Sequence, residues 1–195
     1  RDIIARAKKH SKENPLYVVA IGAITNVASA LLLEPEIADR IVVVWLGGHA
    51  HHWHDTLEFN MKQDVAAARV VMGSKVPFVQ LPCFGVVSGF TTTEPELEKW
   101  LFNKNPLADY LARNIVAHMH QRGKTGSCWS KAIWDVTAVA WLLNDGGRFM
   151  SDRLIPAPIP QYDDHYAEDF RRHPICYVWK IHRDELMDDL FRKLA

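Results

Sequence analysis

Two kinds of hydrophobic spacing alternate along the first part of the chain. Leu16-Tyr-Val-Val-Ala-Ile21 and Ile41-Val-Val-Val-Trp-Leu46 are short continuous apolar runs rich in β-branched residues. Such runs read as strands buried on both faces of a parallel sheet. The segments around them have helical character. Residues 2–12 predict a helix broken by Asn14-Pro15, and Thr25 or Asn26 is placed to cap a second helix that runs to about Leu33 and stops at Glu34-Pro35. Gly47-Gly48 closes the second strand. A polar loop follows, then a helix from about Gln63 to Met72 and a third strand, Phe78–Leu81. Strand and helix signals repeating at this interval predict βαβ units.

Beyond Pro82 the pattern turns mostly helical. Thr93-Glu94-Pro95-Glu96 is a capping box, Asn105-Pro106 opens a longer helix that Gly123 ends, and Asp135 stands before an apolar run, Val136–Leu143, that reads as a buried helix. Arg153–Ile159 and Ile175–Ile181 predict late strands, and Arg183–Leu194 an amphipathic closing helix. The expected fold class is α/β, with a mainly parallel open sheet flanked by helices.

Composition narrows the function classes. The chain has 195 residues, 48% hydrophobic and 24% charged, with 23 Lys plus Arg against 23 Asp plus Glu. That balance supports a packed domain rather than disorder. It also lacks the basic excess that nucleic acid or an anionic membrane surface calls for. No apolar run approaches the roughly 20 residues of a membrane helix. Three widely spaced cysteines, Cys83, Cys128 and Cys176, favour reduced thiols and a cytoplasmic setting over a disulfide framework.

In an open parallel sheet the ligand crevice lies outside the carboxyl ends of the strands, so the loops after each strand are the places to seek chemistry. After the first strand, Gly22-Ala-Ile-Thr-Asn26 makes a tight turn into a helix, which is ordinary capping chemistry or a seat for a polar ligand. The loop after the second strand holds His49, His51, His52 and His54 together with Asp55 and Glu58. Four histidines suggest a transition-metal site, but their spacing matches no closed zinc pattern and no cysteine is near, so a hydrogen-bonding, substrate-facing loop is the stronger reading. Glu58 and Asn60, taken as extended, project to one side with Phe59 on the other, and a carboxylate beside an amide both accepts from and donates to a polyol. Asp135 reads locally as an N-cap and Trp134 as core. Facing the crevice instead, they offer an oxygen ligand for a hard cation and a stacking surface for a planar base.

In this order the residues resemble the nucleoside hydrolase family, the inosine-uridine preferring, calcium-dependent enzymes that cleave the N-glycosidic bond of ribonucleosides. Val19-Ala-Ile-Gly-Ala-Ile-Thr-Asn-Val-Ala28 is similar to the family's G-x-(L/T)-(T/S)-N-(I/V)-A segment. Leu33-Glu-Pro-Glu-Ile37 followed by Ile41–Gly48 is similar to E-P-x-I and I-V-x-M-G-G. Glu58-Phe-Asn60 with Asp64 and Ala66-Ala67 fits E-F-N-x-x-x-D-x-x-A-A, and Trp134-Asp135 falls where the family has an aromatic or imidazole residue before aspartate.

The resemblance implies that Glu58 and Asn60 bind ribose hydroxyls and that Asp135 and the main-chain carbonyl at or near Ile21 ligate Ca²⁺. It places Trp134 against the leaving base, which points to a purine nucleoside, and excludes this residue from the proton-donor role that the resemblance gives to histidine in another branch. His51 is the loop histidine expected to reach substrate. The family's asparagine in this loop is missing between His49 and Asp55, and its aspartate cluster, D-x-D-x-G-x-D-D, is not found in the chain. Residues 1–195 are therefore expected to be the C-terminal portion of a single domain. An upstream segment or companion chain would carry the aspartates, and self-association into a homo-oligomer is expected. A non-catalytic sugar- or nucleoside-binding relative is the alternative.

Overall fold

A computed structural model describes residues 1–195. A five-stranded sheet organises it, in the order β1 (Leu16–Ala20), β2 (Ile41–Leu46), β3 (Phe78–Leu81), β9 (Pro174–Ile181) and β6 (Met150–Pro156). The first four run parallel, and β6 pairs antiparallel with β9. The remaining strands are two-residue pieces in two small ribbons, β4 (Thr91–Thr92) with β5 (Lys131–Ala132) and β7 (Ile159–Pro160) with β8 (Tyr166–Ala167). The expected α/β architecture with a mainly parallel sheet is present.

The period-two alternation of β2 divides the core. Ile41, Val43 and Trp45 enter a cluster with α1 (Asp2–Ala7), α2 (Thr25–Leu33) and α4 (Val65–Gly73), where Ala7, Leu31 and Val71 pack. Val44 and Leu46 enter a second cluster on the other face with α5 (Glu94–Trp100), α6 (Pro106–Met119), α7 (Val136–Trp141) and α8 (Arg183–Leu194), through Leu97, Ala112, Ala138 and Phe191. A strand covered on both faces must be apolar along its whole length, and β2 is.

Several expectations change. The first helix stops at Ala7 rather than near residue 12. β1 is not sealed on both faces: none of its residues is fully buried, and Tyr17 is half exposed. Neither Thr25 nor Asn26 caps α2, whose N-cap position is Ile24 with no side-chain bond; the Thr25 hydroxyl donates to Asp64 instead. The helix expected from about Gln63 to Met72 is present as α4, starting at Val65 after Asp64, whose carboxylate accepts from Ala67 N–H at 2.9 Å, and an unexpected short helix, α3 (Phe59–Gln63), precedes it. α7 is buried on one side only, with Val139, Leu142 and Leu143 in solvent. No helix is long and apolar enough to cross a membrane.

Candidate functional site

The carboxyl ends of β1, β2 and β3 open on one cavity of about 510 Å³. Ile21 borders it after β1, Leu46 and His49 after β2, and Cys83 and Phe84 after β3. Glu58 and Asn60 of the second loop and Trp134 and Asp135 before α7 complete the functional lining. This is where the topology of an open parallel sheet gathers loops.

The second loop is fixed by a small set of hydrogen bonds. Glu58 caps α3: its Oε1 accepts from Asn60 N–H at 2.9 Å, and its Oε2 accepts from Met61 N–H and from Gly48 N–H, each at 2.9 Å. The extended arrangement expected for Glu58–Asn60 is therefore replaced by the start of a helix, because the carboxylate satisfies amides that a first turn leaves unpaired. Asn60 Nδ2 donates to the carbonyls of Leu46 at 2.9 Å and Ile21 at 3.3 Å, tying the ends of β2 and β1 together. Both side chains are buried, yet both still border the cavity.

The double glycine is required by crowding. A Cβ at Gly47 would fall inside the Trp45 indole, and Gly48 has φ +73 with Tyr166 Oη where a Cβ would stand. Trp45 in turn donates from Nε1 to the carbonyl of Gly22 at 2.9 Å, which fixes the turn after β1. On the far side of the double glycine sits Gln80, fully buried in β3. Its Nε2 donates to the carbonyl of Gly47 at 3.2 Å and to Tyr166 Oη at 3.0 Å. A buried amide in a central strand needs such partners, and here they hold the turn that presents Gly48 N–H to Glu58.

The histidines separate. His51 is not on this cavity: it lies between the rings of Tyr166 and Tyr177, with centroids 4.7 and 4.6 Å away, and its Nε2 donates to Gln80 Oε1 at 3.1 Å. Burial pulls its basicity below the ordinary histidine range. His49 takes the place expected for His51, buried on the cavity wall against Phe84. His54 is exposed and pairs with Asp55 at 3.0 Å. No three His, Cys, Asp or Glu side chains converge, which removes the support for a transition-metal site in the histidine loop.

Asp135 occupies the N-cap position of α7 but caps nothing, and its carboxylate is exposed at the cavity rim. Trp134 is half-buried and meets Phe84 edge to face at 5.7 Å, and Phe84 stacks on Trp53 at 5.6 Å with 16° between the planes. Phe84, Trp53, Cys83 and Gln80 carry no sequence motif. The position of Phe84 in the loop that follows the buried strand β3 was the one available signal. The Cys83 thiol is held neutral, pushed up by burial and by Glu58. The resemblance implies the Asp135 carboxylate and the Ile21 carbonyl as calcium ligands; both residues line the cavity, both groups are the oxygen donors a hard cation takes, and the Ile21 carbonyl also accepts from Asn60. A calcium shell takes six to eight oxygens, more than these two groups supply.

Residues 1–176 match the model of the family described as inosine-uridine preferring nucleoside hydrolase. The pyrimidine-specific ribonucleoside hydrolase RihA of Klebsiella pneumoniae (strain 342) is 30% identical over 147 residues, 73% of this chain and 46% of that protein. The corresponding protein of Escherichia coli O1:K1 / APEC is 28% identical over the same shares. The chain thus spans about half the length of the curated relatives it matches. Among solved structures, the plant nucleoside hydrolase PpNRh1 superposes with a TM-score of 0.80 at 18% identity, over 99% of this chain and 65% of that one. A purine-preferring ribonucleoside hydrolase from Gardnerella vaginalis gives 0.74 at 21% identity, over 99% and 64%.

Proposed function

Because the chain belongs to the inosine-uridine preferring nucleoside hydrolase family, we propose that its cavity binds a ribonucleoside or related ribosyl compound. We further propose that the protein hydrolyses the N-glycosidic bond to free base and ribose. The observation that carries this reading is the convergence of Glu58, Asn60, Trp134 and Asp135 on one cavity, from segments up to 77 residues apart in sequence (135 − 58).

Glu58 and Asn60 are assigned to the sugar hydroxyls. Each Glu58 oxygen is already held in place by backbone amides, so the carboxylate meets substrate without reorganising. Trp134 and Phe84 give the base an aromatic wall. The indole has no proton to exchange near neutrality, so Trp134 acts by stacking and shape. Stacking is indifferent to purine or pyrimidine unless size decides, and relatives of both preferences are known, RihA pyrimidine-specific and the Gardnerella enzyme purine-preferring. The large indole supports a purine here. Asp135 and the Ile21 carbonyl are assigned to Ca²⁺, which when bound supplies charge to orient the sugar diol and to ease ionisation of the attacking water.

The rest of the metal shell and the general base are assigned to carboxylates of an upstream segment or companion chain, a reading that the unpaired outer row of β1 supports. Self-association and a reducing, cytoplasm-like compartment belong to the same reading, the latter supported by three free thiols.

The test is base release from inosine, adenosine, uridine and cytidine by the protein together with the upstream segment or companion chain that carries the aspartates, with calcium and with a chelator. Calcium-dependent release, larger for the purines, is the expected result. Saturable nucleoside binding without release would favour the sugar-binding alternative, and neither binding nor release would refute the reading.

A further inference from the structure

His49 has a chemical identity set by its surroundings. Its Nδ1 accepts from the backbone N–H of Phe84 at 3.2 Å. An amide can only donate, so Nδ1 carries no proton and the hydrogen of the neutral ring is on Nε2. Nε2 has no hydrogen-bond partner. Its nearest acid, Asp55, lies 3.8 Å away, beyond hydrogen-bond reach. Nor is Nε2 sealed in the interior, since the one sealed and unpartnered side-chain polar atom of the chain is His173 Nε2. His49 is nevertheless 4% exposed and borders the cavity. An unpartnered donor that is not sealed, on a residue lining the cavity, is available to an acceptor entering there.

We infer that His49 is a specificity-determining residue whose Nε2–H donates to an acceptor oxygen of the bound nucleoside, either the sugar 5′-hydroxyl or a carbonyl of the base. The inference rests on the nucleoside reading of the cavity and adds to it a donor that the motif residues do not supply: Glu58 only accepts, and the Asn60 amide hydrogens are committed to Leu46 and Ile21. The groups facing His49 are Asp55 and His54 of its own loop and Glu58 at the start of α3, with Lys62, Cys83 and Asp135 elsewhere on the cavity wall. Burial lowers its basicity, against the opposing pull of Glu58 and Asp55, and protonation at Nδ1 would also cost the Phe84 hydrogen bond. Both effects favour the neutral ring with its hydrogen on Nε2, the form that donates.

Nitrogen-15 spectra of histidine-labelled protein, with calorimetric titration by inosine, 5′-deoxyinosine and purine riboside, test the inference. The expected spectrum shows the neutral His49 ring protonated on Nε2, and a neutral ring protonated on Nδ1 would overturn it. His49→Phe is expected to weaken inosine binding by about tenfold. His49→Gln, which keeps a donor near the Nε2 position, restores most of the loss. The loss disappears for 5′-deoxyinosine if the sugar oxygen is the partner, or for purine riboside if the base carbonyl is. Wild-type protein that binds inosine no better than His49→Phe, or equal losses on all three ligands, would overturn the inference alone. Wild-type protein that binds none of the three, with the Nε2–H tautomer intact, would refute the nucleoside reading on which it rests.

Discussion

The stretch from Gly47 to Asn60 and the pair Trp134-Asp135 border the same cavity with opposite degrees of internal commitment. Along the first, the side chains of Glu58 and Asn60 are already used: three amides converge on Glu58, two carbonyls on Asn60, and Gln80 holds the turn from behind. At the second, Asp135 stands exposed in a capping position without capping, and Trp134 leans on a Phe84 that is itself 45% exposed. One region is built as part of the fold and lends its remaining valences to a ligand. The other packs the Trp134 ring against the edge of the core and leaves the Asp135 carboxylate facing outward. Side chains that hold backbone in place mix stability with function, whereas free ones separate them.

The sharpest way to break this contrast is Glu58→Ala, which strands three buried or half-buried amides. The expected cost is about 3 kcal/mol, summing a lost cap with unpaired donors, and urea denaturation measures it. A cost below about 0.5 kcal/mol would show that the amides find water and that the region is no scaffold. Asn60→Ala removes the two bonds that tie β1 to β2 and leaves two carbonyls that tolerate loss better than amides do. About 1–2 kcal/mol is expected by the same measurement. Asp135→Ala marks the other pole: within about 0.5 kcal/mol of wild type in denaturation, but with a higher calcium concentration needed for base release. A clear stability loss on removing Asp135 would place it with the scaffold and erase the distinction.

The same contrast explains how legible the site was. Glu58, Asn60 and Asp135 stand in motifs whose order along the chain carries information, and each reaches the cavity. The conformation at Glu58–Asn60 was not legible, because an extended pair and a capped helical turn share the same residues, and only Gly48 N–H arriving from ten residues earlier favours the second. His51 and His49 are equivalent as sequence. The difference between them lies in their partners: Tyr166 and Tyr177, more than a hundred residues away, draw His51 behind the double glycine, and Phe84 N–H holds His49 at the cavity. Phe84 and Gln80 were invisible for a related reason, since an aromatic residue after a strand and an amide within one gain meaning only from their neighbours.

The amino-acid sequence by itself determined the order of strands and helices, the parallel character of the sheet and the end of it where chemistry gathers. Those properties follow from the spacing of apolar residues and from Pro, Gly and capping residues, all of them local or periodic. Tertiary structure alone decided which histidine borders the cavity and that Asp135 stays unpaired while Glu58 is saturated. Hydrogen bonds and ring contacts between distant segments settle such questions, and no window of sequence contains both partners.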